Sequence, residues 1–140
     1  MSLTGHPVSI KAVLVIDGRI PLLKNERHEW ELPGGRLEAG EQPEVTVLRE
    51  IAEELGIAAA DPEILDCWLY RIAGKGEVLI VTYGCRALAT AVTLSAEHSE
   101  VRLFAPGEIA GLDMPEGYKR SIRSWLERLA ERDIEIRACN

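Results

Sequence analysis

The sequence predicts an α/β fold in which a mixed β-sheet lies between helical layers. Three observations predict it: five short runs rich in β-branched and aliphatic residues spread along the chain, an amphipathic helical pattern at residues 43–55, and a second at residues 115–132. At 140 residues, with no repeat, low-complexity tract or linker, residues 1–140 are expected to form a single domain.

Residues 8–16 are rich in β-branched side chains and end at Asp17-Gly18, a two-residue hairpin signal, which makes residues 19–24 the return strand. Residues 25–31 are polar and read as a loop, and Leu32-Pro33-Gly34-Gly35 reads as a tight turn that exposes backbone. Pro43 suits the first turn of a helix, where its missing N–H costs nothing. That helix runs to Leu55, with Gly56 as a left-handed C-terminal cap. Leu48, Ile51, Ala52 and Leu55 recur at helical spacing and are expected to form its core stripe, with the acidic residues nearly opposite. Residues 64–72 and 78–87 read as strands around the turn Ala73-Gly74-Lys75-Gly76, residues 101–104 as a short strand and 106–112 as a short helix. Tyr118, Ile122, Trp125, Leu126 and Leu129 mark the apolar face of a closing helix.

A net charge of −7 disfavours nonspecific binding to nucleic-acid backbone or an anionic membrane. No apolar run approaches the roughly 18–20 residues that a spanning helix needs. The first residues lack the layout of a signal peptide. Cys67, Cys85 and Cys139 are widely spaced, without a C-x-x-C pair, which favours reduced thiols and a cytoplasmic protein over a disulfide framework or a zinc site. His6, His28 and His98 form no local ligand pattern.

The chemistry concentrates on the first helix. Glu50, Glu53 and Glu54 fall within five residues, and positions i, i+3 and i+4 share a helix face. Three like charges there repel unless something cationic neutralises them. A hard divalent cation, Mg²⁺ or Mn²⁺, prefers such oxygen ligands. It would also bridge an acidic protein to an anionic phosphate.

Residues 35–57 fit the pattern G-x5-E-x7-R-E-U-x-E-E-x-G-U, where U is a bulky aliphatic residue. The run resembles the Nudix box and matches at every specified position. The resemblance implies an α/β/α sandwich with a loop–helix–loop catalytic motif. It also implies hydrolysis of a pyrophosphate bond in a nucleoside diphosphate linked to another moiety, with Mg²⁺ or Mn²⁺. By residue match, Glu50, Glu53 and Glu54 are the metal-binding or catalytic glutamates, the Gly34 carbonyl contributes a ligand, and Arg49 holds the glutamates in position. Family members differ in where the general base originates, so Glu97 and Glu100 stand beside Glu50 as candidates, with a solvated acidic loop as their plainer reading. Homodimers are common in the family, and an exposed edge strand would permit one.

Outside the box the signals are weaker. Trp30 would stack a base or plug the sheet edge. Arg27, Arg36 and Arg71 would meet phosphates or simply face solvent. Trp68 and Tyr70 alternate onto one strand face, where aromatic packing is the favoured reading. The proline and tyrosine that mark ADP-ribose and dinucleoside-polyphosphate subfamilies beyond the box are both absent at their places, and Tyr70 comes too early. The expected substrates are therefore nucleoside triphosphates, damaged ones included, or ADP-ribose-like molecules. The alternative is a catalytically silent Nudix domain that binds nucleotide as a sensor or regulator.

Overall fold

A computed structural model describes residues 5–93 and 100–139, apart from the side chains of residues 136, 137 and 139. Glu97 and His98 lie outside the described residues. The chain folds as β1 (Val8–Val13), β2 (Ile20–Lys24), β3 (Trp30–Glu31), β4 (Gly34–Arg36), α1 (Pro43–Leu55), β5 (Ala59–Ile72), β6 (Gly76–Ala87), β7 (Glu100–Phe104), a 3-10 helix (Pro106–Gly111) and α2 (Glu116–Cys139). The strands form a four-stranded sheet in the order β4-β1-β6-β5 and a three-stranded sheet in the order β3-β2-β7. The larger sheet is mixed: β1 runs parallel to β6 and antiparallel to β4.

The Asp17-Gly18 turn forms as its sequence predicts, with φ of 51° and 76°, the paired positive values of a two-residue hairpin turn. It closes with N–H donors at Ile16 and Arg19 each meeting the other's carbonyl, at 2.8 and 3.0 Å. Its arms, however, do not pair as one hairpin. Leu14, Ile16, Ile20, Leu22 and Leu23 are all buried, so neither arm has a solvent face, and the arms diverge into different sheets. Two further departures are local. The segment read as loop and tight turn contains β3, which pairs with β2, and β4, which pairs with the central strand β1. Strand β5 starts at Ala59 rather than Ile64, because a bulge after Ala60, with Asp61 at φ 54°, lets the strand bend and continue.

The larger sheet has a helix on each face. Alternation along β1 turns Ile10 and Ala12 toward α1, where they pack with Val47, Ile51 and Leu55, and turns Val13 toward Tyr118, Ile122 and Trp125 of α2. Each such fully buried aliphatic side chain contributes roughly 1.5–3 kcal/mol. The Thr82 and Ser121 hydroxyls meet at 2.7 Å and tie β6 to α2. The smaller sheet closes one end of the sandwich through Ile20, Leu22, Trp30 and Phe104.

Helix α1 ends at Gly56, left-handed at φ 68°, whose N–H donates to the Ala52 carbonyl. The expected core stripe is corrected by one residue step. Val47, Ile51 and Leu55 are buried, Leu48 is half-buried, and Ala52 is exposed. The three glutamates consequently do not all lie opposite the core: Glu54 is only 3% exposed, while Glu53 faces solvent.

Cys67 is exposed and Cys85 buried, both as free thiols, and burial pushes the Cys85 thiol up to about 12. Thiolates, not thiols, attack alkylating reagents. Iodoacetamide applied to native protein is therefore expected to label Cys67 and spare Cys85, read by peptide mass mapping; equal labelling of the two would contradict this packing. Among the described residues no helix is long and apolar enough to cross a membrane.

Candidate active site

Strand β4 consists of Gly34, Gly35 and Arg36 and lies at the sheet edge beside β1. Two of its three residues lack side chains, so groups from either face approach its backbone closely. From α1, Glu54 reaches over, and its Oε1 accepts the Gly34 N–H at 2.9 Å. Glu50 lies against Gly35 so closely that a Cβ built there would stand 2.5 Å from its Cδ. Glu53, one turn along, is the outward member of the trio, with 56% of its side chain exposed against 15% for Glu50.

Arg49 binds these carboxylates together. Its Nη1 donates to Glu50 Oε1 at 3.0 Å and to both oxygens of Glu53 at 3.3 Å. Its Nε and Nη2 grip Glu41 at 2.8 and 3.0 Å, a bidentate pair. The Thr46 hydroxyl donates to the same Glu41 carboxylate at 2.7 Å. The Arg49 guanidinium first, then the Thr46 hydroxyl, hold the Glu41 carboxyl down at about 2. The hydrogen bonds to Glu41 first, and those to Glu53 and Glu50, raise Arg49 above the ordinary arginine value. Arg49 thus carries partial neutralisation of the glutamate charge on its own helix.

The donors fit a hard divalent cation: they are all oxygens, from Glu50, Glu53, Glu54 and the backbone of Gly34. The absence of a side chain at Gly35 leaves the space in which the Glu50 carboxylate meets the loop. Among the described residues no three acidic, histidine or cysteine side chains stand together as a closed cation cage in this conformation. Arg49 holds Glu50 and Glu53 instead.

On the opposite face of the sheet, beside Gly34, opens a cavity of about 270 Å³. Lys11, Arg27, Arg36 and Lys75 supply cations to its wall, Tyr70 and Tyr118 aromatic surface, and Glu26 and Glu31 negative charge. The Tyr70 hydroxyl donates to Glu29 at 2.9 Å, and the Arg27 guanidinium lies 5.8 Å from the Tyr70 ring while bonding Glu29 at 3.0 Å. Lys11 is buried. Burial alone would pull its ammonium down, but the Tyr118 hydroxyl and the carboxylates of Glu31, Glu54 and Glu50 outweigh this and hold it above the ordinary lysine value. Burial likewise pushes the Tyr118 hydroxyl up to about 12.

Of the residues expected around the substrate, Arg27 and Arg36 line this cavity. Trp30 does not: it is buried edge-on against Phe104 at 4.8 Å with Lys24 over its ring, so it plugs the small sheet rather than stacking a base. Arg71 is corrected as well. Tyr70 and Ile72 turn into the cavity, so alternation sends Arg71 to solvent, 82% exposed and paired with Glu77 at 3.1 Å. Glu100 begins β7 in the small sheet and pairs with Arg102 at 2.9 Å. Lys11, Glu31 and Tyr118 were not anticipated as site residues. Lys11 carried one available signal, a lone charge inside an apolar strand.

An acidic helix thus packs on a glycine strand, with a cationic and aromatic cavity on the opposite face of the sheet. A family model described as the NUDIX domain matches residues 5–129, and the chain belongs to that family. A MutT-like protein of Streptomyces ambofaciens is 35% identical over 107 residues, 75% of this chain and 68% of that protein. An ADP-ribose pyrophosphatase of Bacillus subtilis is 43% identical over 60 residues, 39% of this chain and 32% of that enzyme. An 8-oxo-dGTP diphosphatase of Proteus vulgaris is 46% identical over 46 residues, 33% of this chain and 41% of that enzyme. The crystal structure of a MutT NUDIX hydrolase from Burkholderia pseudomallei superposes with a TM-score of 0.71 at 27% identity, covering 86% of this chain and 98% of that one. The pyrophosphatase and the diphosphatase among these relatives are hydrolases of acid anhydrides, and the α/β architecture with its mixed sheet matches that of the superposed NUDIX hydrolase.

Proposed function

We propose that this protein hydrolyses a pyrophosphate bond in a nucleoside diphosphate linked to another moiety, a nucleoside triphosphate or an ADP-ribose-like molecule, with Mg²⁺ or Mn²⁺. The observation that carries the reading is the convergence of Glu50 and Glu54 on the Gly34-Gly35 backbone, next to the cavity that Arg27, Arg36 and Tyr70 line. Relatives named for 8-oxo-dGTP and for ADP-ribose support the two substrate types equally.

Glu53 and Glu54, with the Gly34 carbonyl, would hold the cation, and Glu50 would either join them or take the proton from the attacking water. The bound cation supplies Lewis acidity toward the phosphate oxygens and acidifies water. Arg49 would keep Glu50 and Glu53 from splaying apart. Arg27 and Arg36 would meet phosphate oxygens at the cavity mouth, and the Tyr70 ring offers a face to a base. Cleavage of this kind depends mostly on positioning and electrostatics, which a rigid helix pinned to the sheet edge provides.

Phosphate release should be assayed over nucleoside triphosphates, 8-oxo-dGTP, ADP-ribose, NADH, dinucleoside polyphosphates and sugar nucleotides. The expected result is release with Mg²⁺ or Mn²⁺ that stops in EDTA. Nucleotide binding with no release under any of these conditions would replace the hydrolase by a sensor. A homodimer, for which β5 offers a free edge carrying exposed Ile64 and Leu69, belongs to the same proposal and is read by light scattering.

A further inference from the structure

We infer that Lys11 is a phosphate-contacting residue of this site, its ammonium meeting an oxygen of the substrate's diphosphate where the chain of phosphates leaves the cavity for the glutamates. The inference rests on the pyrophosphate reading above and adds to it the residue that guides the substrate across the sheet edge.

Lys11 lies at the middle of β1, in register with Gly34 on one side and Thr82 on the other. Opposite residues in a sheet share a face, so on its own face Lys11 has no side chain beside it at Gly34. The Thr82 side is closed by the hydroxyl pair with Ser121. The open direction is therefore toward β4 and the cavity, which Lys11 lines together with Ser9 and Arg36.

Lys11 is 7% exposed as a residue and lines the cavity. Its ion-pair partner, Glu31 Oε1, stands 3.9 Å away, beyond hydrogen-bond range. An ammonium carries three N–H donors, and Lys11 can share them with an anion that enters the cavity it lines.

The cavity, at about 270 Å³, is at or just below the small end of ligand sites, which run from roughly 300 to 1,000 Å³. It takes a nucleoside-sized group, and phosphates attached to that group must emerge past the glycine strand. There they meet the field of Glu50 and Glu54, which repels anions. Arg27 and Arg36 lie nearer solvent, where salt screens them; Lys11 is screened far less. A buried cation between cavity and carboxylates offsets the repulsion at the crossing point.

Inorganic pyrophosphate titrated in EDTA tests the contact without turnover, using wild type and Lys11→Met. Wild type is expected to bind, and the variant to bind at least about tenfold more weakly, the scale of one charge-assisted hydrogen bond. With Mg²⁺ and the substrate that wild type cleaves best, the variant is expected to raise KM by a similar factor and to change kcat less, because a phosphate is held before and during cleavage. Equal binding by the two proteins, or no pyrophosphate binding by wild type in EDTA, overturns the inference.

If Lys11→Met fails to fold, as judged by circular dichroism, Lys11→Gln, which keeps the length and polarity of the side chain and removes its charge, decides instead. It is expected to bind pyrophosphate in EDTA at least about tenfold more weakly than wild type, and binding equal to wild type overturns the assignment. Loss of Mg²⁺-dependent release in wild type would defeat the hydrolase reading while leaving these EDTA measurements to judge Lys11 separately.

Discussion

Glu53→Gln is expected to cut turnover at least about 100-fold, the scale of losing one group that stabilises charge in a transition state, while moving the thermal midpoint by no more than about 2 °C. The separation of the two effects comes from where Glu53 sits. It is the exposed member of the trio, and its contacts are the two long bonds from Arg49 at 3.3 Å. Glutamine has nearly the same helix propensity as glutamate. Removing one of three neighbouring negative charges relieves repulsion worth a few tenths of a kcal/mol, so the fold loses nothing that the helix needs. Glu54 would make a poorer probe. It is buried and accepts the Gly34 N–H, so its substitution mixes chemistry with the docking of α1 onto β4. Phosphate release on the best substrate and scanning fluorimetry on the same sample make the measurement. Wild-type turnover in Glu53→Gln would remove the helix from the chemistry.

Helix α1 shows why parts of this molecule were legible in the sequence. Pro43, the box spacing and Gly56 are local signals, and the helix begins and ends where they place it. The Asp17-Gly18 and Gly74 to Gly76 turns are local in the same way, set by backbone conformations that few residues adopt. The partition of strands into two sheets was not legible. Partner choice depends on which faces become buried by distant segments, and the fully apolar stretch on both sides of Asp17-Gly18 carries no alternation to read. The burial of Glu54 escaped for a related reason. Amphipathic patterning sends charge outward, and it fails here because the strand facing Glu54 is built of glycine, leaving room and an N–H donor for a carboxylate. Arg71 is different: the alternation with Tyr70 and Ile72 held the answer, since residues that line one face exclude their neighbour from it. Lys11 had no motif to announce it. Its role follows from register with Gly34, a relation between residues 23 positions apart that only the sheet pairing reveals.

Gly34→Ala and Gly35→Ala, adjacent and chemically identical changes, are expected to fail in opposite ways. At Gly34 the backbone has φ of +150°, and a Cβ would collide with the Ile10 carbonyl oxygen and stand 2.8 Å from Lys11 Cα. Both obstacles are backbone of the central strand, which cannot move aside without breaking its own pairing with β6. Strand β4 would have to leave the sheet edge, giving up the Ala12 N–H bond to the Pro33 carbonyl and the Gly34 bond to Glu54. The expected cost is roughly 3–5 kcal/mol, combining strain at an unfavourable φ with lost buried hydrogen bonds. A thermal midpoint lowered by ten degrees or so would follow in a domain of this size. At Gly35 the obstacle is the Glu50 carboxylate, the end of a flexible side chain that can swing away. Stability there should change by about 1 kcal/mol or less. Turnover should nevertheless fall by about 10- to 100-fold, because Glu50 can no longer lie against the loop. Chemical denaturation and phosphate release measured on both variants decide the matter. Equal loss of stability in the two would mean that the glycines serve only the sheet. A fully active Gly35→Ala would mean that the position of Glu50 is immaterial to the chemistry.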